Sequence, residues 1–203
     1  TNETIVYSDP PTSETLNLTQ CFDISDDGTK VAYILEYAGG MGNAKQIVVY
    51  DVSSGTSKNL PTKVTVQLHG TNTFGQVDLS IQQLGDLFCL SGDGSMVFFI
   101  NRFGPYSGGV VGIDPSGFTL YQIPTSGLAP ASPLFSADNL RDVPGVVDAA
   151  VSVVASGGYI DCDYTGTLVT LPVGGYDVYG NPPCHLLGVD TGAPGTAEIL
   201  LDL

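Results

Sequence analysis

The chain has no tryptophan, only two histidines and only six basic residues among its 203. Each shortage removes a class of function. A duplex-binding protein needs clustered Lys and Arg to displace counterions. Against 21 acidic residues and a net charge of −15 there is nothing to cluster, so nucleic acid and anionic membrane surfaces are not expected partners. His69 and His185 cannot build a three-histidine zinc site. No G-x-S-x-G elbow is present to hold a strained serine nucleophile. No uninterrupted apolar run approaches the roughly 18 residues that a membrane-spanning helix requires. The four cysteines, Cys21, Cys89, Cys162 and Cys184, contain no C-x-x-C pair, which removes zinc ribbons and thioredoxin-like motifs.

What is present is β-chemistry. The chain is 42% hydrophobic, with 26 Gly and 13 Pro. Its short Val, Ile, Tyr and Phe runs are punctuated by turn residues, and no helical period is sustained, which reads as all-β. The even cysteine count and the paucity of lysine predict export to an extracellular or cell-surface location. The N-x-T sequons at Asn2 and Asn17, candidate glycosylation sites, point the same way. The start at Thr1, with no leader, predicts a processed or excised piece of a longer product.

The chain repeats itself. "CFDISDDGTKVAYI" at 21–34 returns as "FCLSGDGSMVFFI" at 88–100, and more loosely as "VSVVASGGYIDCDY" at 151–164 with Gly157-Gly158 at the corner. "IVVYDVSSGTSKNLPT" at 47–62 aligns without a gap on "VVGIDPSGFTLYQIPT" at 110–125, placing Asp51 over Asp114. Further copies at 186–201 and 5–19 carry Asp190 and Asp9 as markers. The expected organisation is a half blade at 1–19, a blade at 20–62, an insertion at 63–85, a blade at 86–125, an insertion at 126–147 and a blade at 148–203 with its own insertion at 164–183. The uniformly apolar runs fit strands covered on both faces. Four antiparallel strands per unit, repeated, give a β-propeller type of fold with three four-stranded blades and an N-terminal half blade. The long insertions are expected on one face.

The pattern F-x-I-S-x-D-G-T-K-V-A-Y-I…I-V-V-Y-D-V-x-x-G resembles the blade repeat of TolB-type β-propellers, also found in the propeller domains of prolyl-oligopeptidase-like enzymes. Residues 20–62 carry the resemblance best, 86–125 less so and 148–202 in outline; Asp26 and Gly92 stand where the family has proline. The resemblance implies a fold and leaves function open.

Candidate sites are sparse. Asp161 and Asp163, at i and i+2, would share one strand face and could hold a cation or act as an acid–base pair. No cofactor is expected, with calcium as the open alternative. Tyr176, Tyr179 and His69 in the insertions are candidate ligand contacts. Cys162 and Cys184 bracket an insertion and are candidates for a disulfide. The function expected is a non-catalytic scaffold acting through protein–protein contacts or self-association at open blade edges. A filament or surface-layer subunit joined by strand addition, and a hydrolase or lyase with an acidic site, are the alternatives.

Overall fold

The computed structural model describes residues 16–37, 44–61, 63–67, 74–78, 84–101, 119–136, 142–145, 152–153, 160–174 and 184–202. They form three antiparallel sheets that follow one another along the chain, plus a separate hairpin. Blade 1 contains β1 (Leu16–Ile24), β2 (Lys30–Tyr37), β3 (Ala44–Asp51) and β4 (Thr56–Asn59), paired in that order. The hairpin is β5 (Lys63–Gln67) with β6 (Phe74–Asp78). Blade 2 contains β7 (Leu84–Leu90), β8 (Met96–Asn101), β9 (Thr119–Pro124) and β10 (Ser132–Ser136). In blade 3 the innermost position is shared by two short pieces, β11 (Ser152–Val153) and β12 (Asp161–Cys162), which both pair with β13 (Leu168–Gly174). β14 (Cys184–Asp190) and β15 (Ala197–Asp202) complete it. The all-β, propeller-type arrangement is therefore as expected. No helix among the described residues is long and apolar enough to cross a membrane.

What stacks the sheets is the two-residue period of a strand. In β8, Val97 and Phe99 face blade 1 and join a buried cluster with Ala32, Ile34, Ile47, Val49 and Ile123. The alternate residues Phe98 and Ile100 face blade 3 and join Leu120, Phe135, Val169, Leu171, Leu187 and Val189. Phe98 and Phe99 are both fully buried, one in each core. Phe99 also stacks on Tyr121, with ring centroids 5.5 Å apart. The middle sheet is thus covered on both sides, as its unbroken apolar run requires.

Several boundaries differ from those read in the sequence. In blade 2 the third strand is 119–124 and the fourth is 132–136, so Asp114 is not the counterpart of Asp51. The backbone shows the true equivalence: Val52 N donates to Thr29 O at 2.9 Å, and Thr125 N donates to Ser95 O at 2.9 Å, which puts Pro124 in the place of Asp51. The supposed insertion 126–147 therefore contains a blade strand. The supposed insertion 164–183 contains β13, the second strand of blade 3. Residues 16–19 belong to β1 and not to a separate half blade; the rest of the half blade lies outside the described residues. The stretch 63–85 holds the hairpin β5–β6, and its last two residues already belong to β7.

Phe98→Ala should destabilise the chain by about 3–5 kcal/mol, the range for emptying a fully buried aromatic site. Urea unfolding followed by tyrosine fluorescence measures it, with the slope m unchanged.

Candidate functional site

Three hairpin corners, one per blade, converge at one end of the stacked sheets. Each joins the innermost strand to the second strand and is closed by the same backbone bonds. Ser25 N, Ser91 N and Asp163 N donate to Lys30 O, Met96 O and Leu168 O at 3.0, 2.9 and 3.0 Å. Gly28, Gly94 and Gly166 take φ of 68°, 68° and 69°, a left-handed conformation that glycine adopts without strain.

The side chains then repeat with one inversion. In blade 1, Ser25 Oγ donates to Asp27 Oδ1 at 2.7 Å and accepts Lys30 N at 3.0 Å. In blade 2, Ser91 Oγ donates to Asp93 Oδ1 at 2.7 Å and accepts Met96 N at 3.0 Å. In blade 3 the two chemical types trade places. Asp163 stands at the serine position and accepts Leu168 N at 3.0 Å and Thr167 N at 2.6 Å. Thr165 stands at the aspartate position and donates to Asp163 Oδ2 at 3.1 Å. Either polarity closes the corner. The third corner is consequently Asp163–Gly166; Gly157 and Gly158 lie outside the described residues.

Adjacent corners are bonded to each other. Asp26 N donates to Gly92 O at 2.9 Å, and Asp93 N donates to Tyr164 O at 2.8 Å. Lys30 Nζ reaches across to blade 2, donating to Gly94 O at 2.9 Å and Thr125 Oγ1 at 3.1 Å. Asp23 Oδ2 accepts Leu90 N at 2.7 Å, linking innermost strands β1 and β7. A Cβ on Gly92 would overlap the Asp26 carboxylate and fall 2.7 Å from Tyr164 Cδ2, so any side chain here would have to push those two exposed side chains aside.

These bonds hold several carboxyls below their ordinary value of 3.8. Thr29, Ser25 and then Lys30 act on Asp27. For Asp93, bonds from Ser91 and Ser95 outweigh the burial that opposes them. Thr167, Leu168 and Thr165 act on Asp163. At the neighbouring corner between β3 and β4, bonds from Ser53 and Ser54 lower Asp51 to about 2.

The sequence-predicted residues fall as follows. Asp163 accepts hydrogen bonds from its own corner, while Asp161 accepts Cys162 N at 2.9 Å; both are exposed. No cluster of three or more metal-ligating side chains occurs among the described residues. The bridge between Cys162 and Cys184 does not form. Cys162 is a free thiol opposite Val169, and Cys184 sits opposite Gly174, five residues along β13. At about 3.3 Å per residue that is roughly 17 Å, beyond disulfide reach. Asn17 lies in β1 opposite Glu36. Asn2, His69, Tyr176 and Tyr179 lie outside the described residues. Sequence reasoning missed Lys30, Thr125, Gly92 and Tyr164. The signal for the first was there: a lysine opening the largely apolar strand β2 in a chain with only six basic residues.

No protein-family model and no curated protein matches the chain. Among solved structures it is similar to the β-propeller domain of the Trilobed protease from Pyrococcus furiosus, at 9% identity and a TM-score of 0.48, over 94% of this chain and 42% of that one. It is also similar to an acylaminoacyl peptidase from Pyrococcus horikoshii, at 12% identity and a TM-score of 0.39, over 93% of this chain and 32% of that one. The chain spans less than half the length of either. At these scores the fold rests on the sheets described above.

Two outcomes follow for the corners. Because the folded carboxyls sit below 3.8, their contribution is present above that value and is lost as pH falls below it, for Asp51 down to about 2. The urea midpoint should drop across that window, and more shallowly in an Asp163→Asn variant. Lys30→Met, which keeps the apolar stem, should cost about 1–2 kcal/mol by removing charge-assisted bonds between blades, read from the same unfolding curves.

Proposed function

We propose that this chain is a non-catalytic scaffold of the TolB type, working outside the cell through protein–protein contacts. The observation that carries the reading is the state of its two terminal sheet faces. Between blades, every apolar face is met by another sheet. On the side of blade 1 away from blade 2, Phe22 pairs with Tyr33 and Ile24 with Val31, and cross-strand partners share a face. Tyr33, Leu35, Val48 and Tyr50 there are buried, yet Phe22 is 66% exposed and Ile24 50% exposed. On the far side of blade 3, Leu168 and Leu200 lie over Gly188, with Leu200 41% exposed. The exposed parts of these faces, Phe22 and Ile24 on blade 1 and Leu200 on blade 3, are apolar patches that a further β-sheet would suit as partner.

The corners support a structural role, since their carboxylates accept hydrogen bonds from their own hairpins. Antiparallel pairing supports a presenting role for the other end. The connections 38–43, 60–83, 102–118 and 175–183 all leave and rejoin their strands at the end opposite the corners, where loop variation is tolerated.

Sedimentation velocity over a concentration series tests the reading. The chain should show a sedimentation coefficient that rises with concentration, and Phe22→Glu/Ile24→Glu should hold it at the dilute value with an unchanged circular dichroism spectrum. A single species at every concentration, the same in both proteins, would overturn association through this face.

A further inference from the structure

The structure brings together two cysteines that no sequence spacing pairs. Cys89 lies in β7 opposite Phe98, and Cys162 lies in β12 opposite Val169. β7 and β12 are the innermost strands of blades 2 and 3 and run against one another. Cys89 is 3% exposed within the core that joins the two blades, and half-buried Cys162 packs against that same core. Both thus lie at the seam where β7 and β12 touch, and neither is in a disulfide. The strands are held in register nearby by the bond from Asp93 N to Tyr164 O, and by Gly166, where a Cβ would come within 3.0 Å of Phe98.

We propose that Cys89 and Cys162 are a thiol–disulfide pair that closes a covalent bridge between blades 2 and 3, with a low-molecular-weight disulfide such as oxidised glutathione as the oxidant. The half-buried Cys162 is the sulfur that such a reagent reaches. Its thiolate attacks one sulfur of glutathione disulfide; that S–S bond breaks, and the departing glutathione thiolate takes up the proton Cys162 lost. Cys89 then attacks the Cys162 sulfur of the mixed disulfide. The second glutathione leaves with the Cys89 proton, and the Cys89–Cys162 bond remains. Two protein thiols have lost two electrons, and one glutathione disulfide has become two thiols. The order follows from the environment. Cys89 is buried and out of reach of a reagent in solution, so it enters only in the second step, against the sulfur already held beside it on Cys162. The bridge would close a loop of roughly 70 residues, near the long end of what a disulfide constrains.

The test uses the full chain, equilibrated in glutathione buffers of increasing oxidation, quenched by alkylation, digested and mapped by mass spectrometry. In reducing buffer both residues should be alkylated. In oxidising buffer both should lose alkylation together, and a peptide linking Cys89 to Cys162 should appear. The oxidised chain should melt roughly 10 °C higher than the reduced one. Dithiothreitol should reverse the gain, and Cys162→Ser should lack it while melting like the reduced wild type. Thiols that both stay alkylatable, a reaction that stops at the glutathione adduct, or crosslinks to Cys21 or Cys184 would each overturn the proposal. The mapping on the unaltered chain decides the matter even if the variant does not fold.

Discussion

The rest of this molecule depends on the fact that an apolar strand in the middle of a sheet has two faces and can bury neither alone. β8 carries Val97, Phe98, Phe99 and Ile100 in succession, all fully buried, with alternate members sent into different cores. A solitary four-stranded sheet with that sequence would expose one of those pairs to water, at a cost on the order of 1.5–3 kcal/mol per large side chain. Blade 2 is therefore a stable object only between two neighbours. Cooperativity between blades is built into adjacent residues of a single strand.

Hydrophobic stacking fixes distance but not rotation, and the corners supply the missing constraint. Backbone bonds from Asp26 to Gly92 and from Asp93 to Tyr164 set how far each sheet has turned relative to the next. Lys30 adds a charge-assisted strut along the first of these seams. Much of the chain's negative charge near this end is therefore internal to the architecture. Asp27, Asp93 and Asp163 act as acceptors for hydroxyls and amides of their own hairpins.

The sequence disclosed the fold wherever local chemistry repeated in the same form. Ser25-x-Asp27-Gly28 and Ser91-x-Asp93-Gly94 share their letters, and both corners were legible. The third was hidden because its two functional types exchange places, Asp163-x-Thr165-Gly166, which preserves the hydrogen bonds while altering the string. The alignment of Asp114 on Asp51 failed for a related reason. Hydrophobic identity along "VVGID" outweighed the long connection at 102–118, whereas the bonds from Val52 and Thr125 depend on geometry alone. The contact between Cys89 and Cys162 was beyond reach of spacing arguments, because 73 positions separate them and the seam exists only once two blades have stacked. For Asp161 and Asp163 the i, i+2 rule applies only as far as the strand runs, and β12 ends at Cys162.

Gly92 carries a last consequence. It occupies in blade 2 the place that Asp26 holds in blade 1 and Tyr164 in blade 3, and those are the two side chains a Cβ there would strike. The three units are thus built on one plan yet are not interchangeable parts. Transplanting the blade 1 corner into the middle position would set a second carboxylate against the Asp26 carboxylate, like charge on like charge, and force Asp26 and Tyr164 outward.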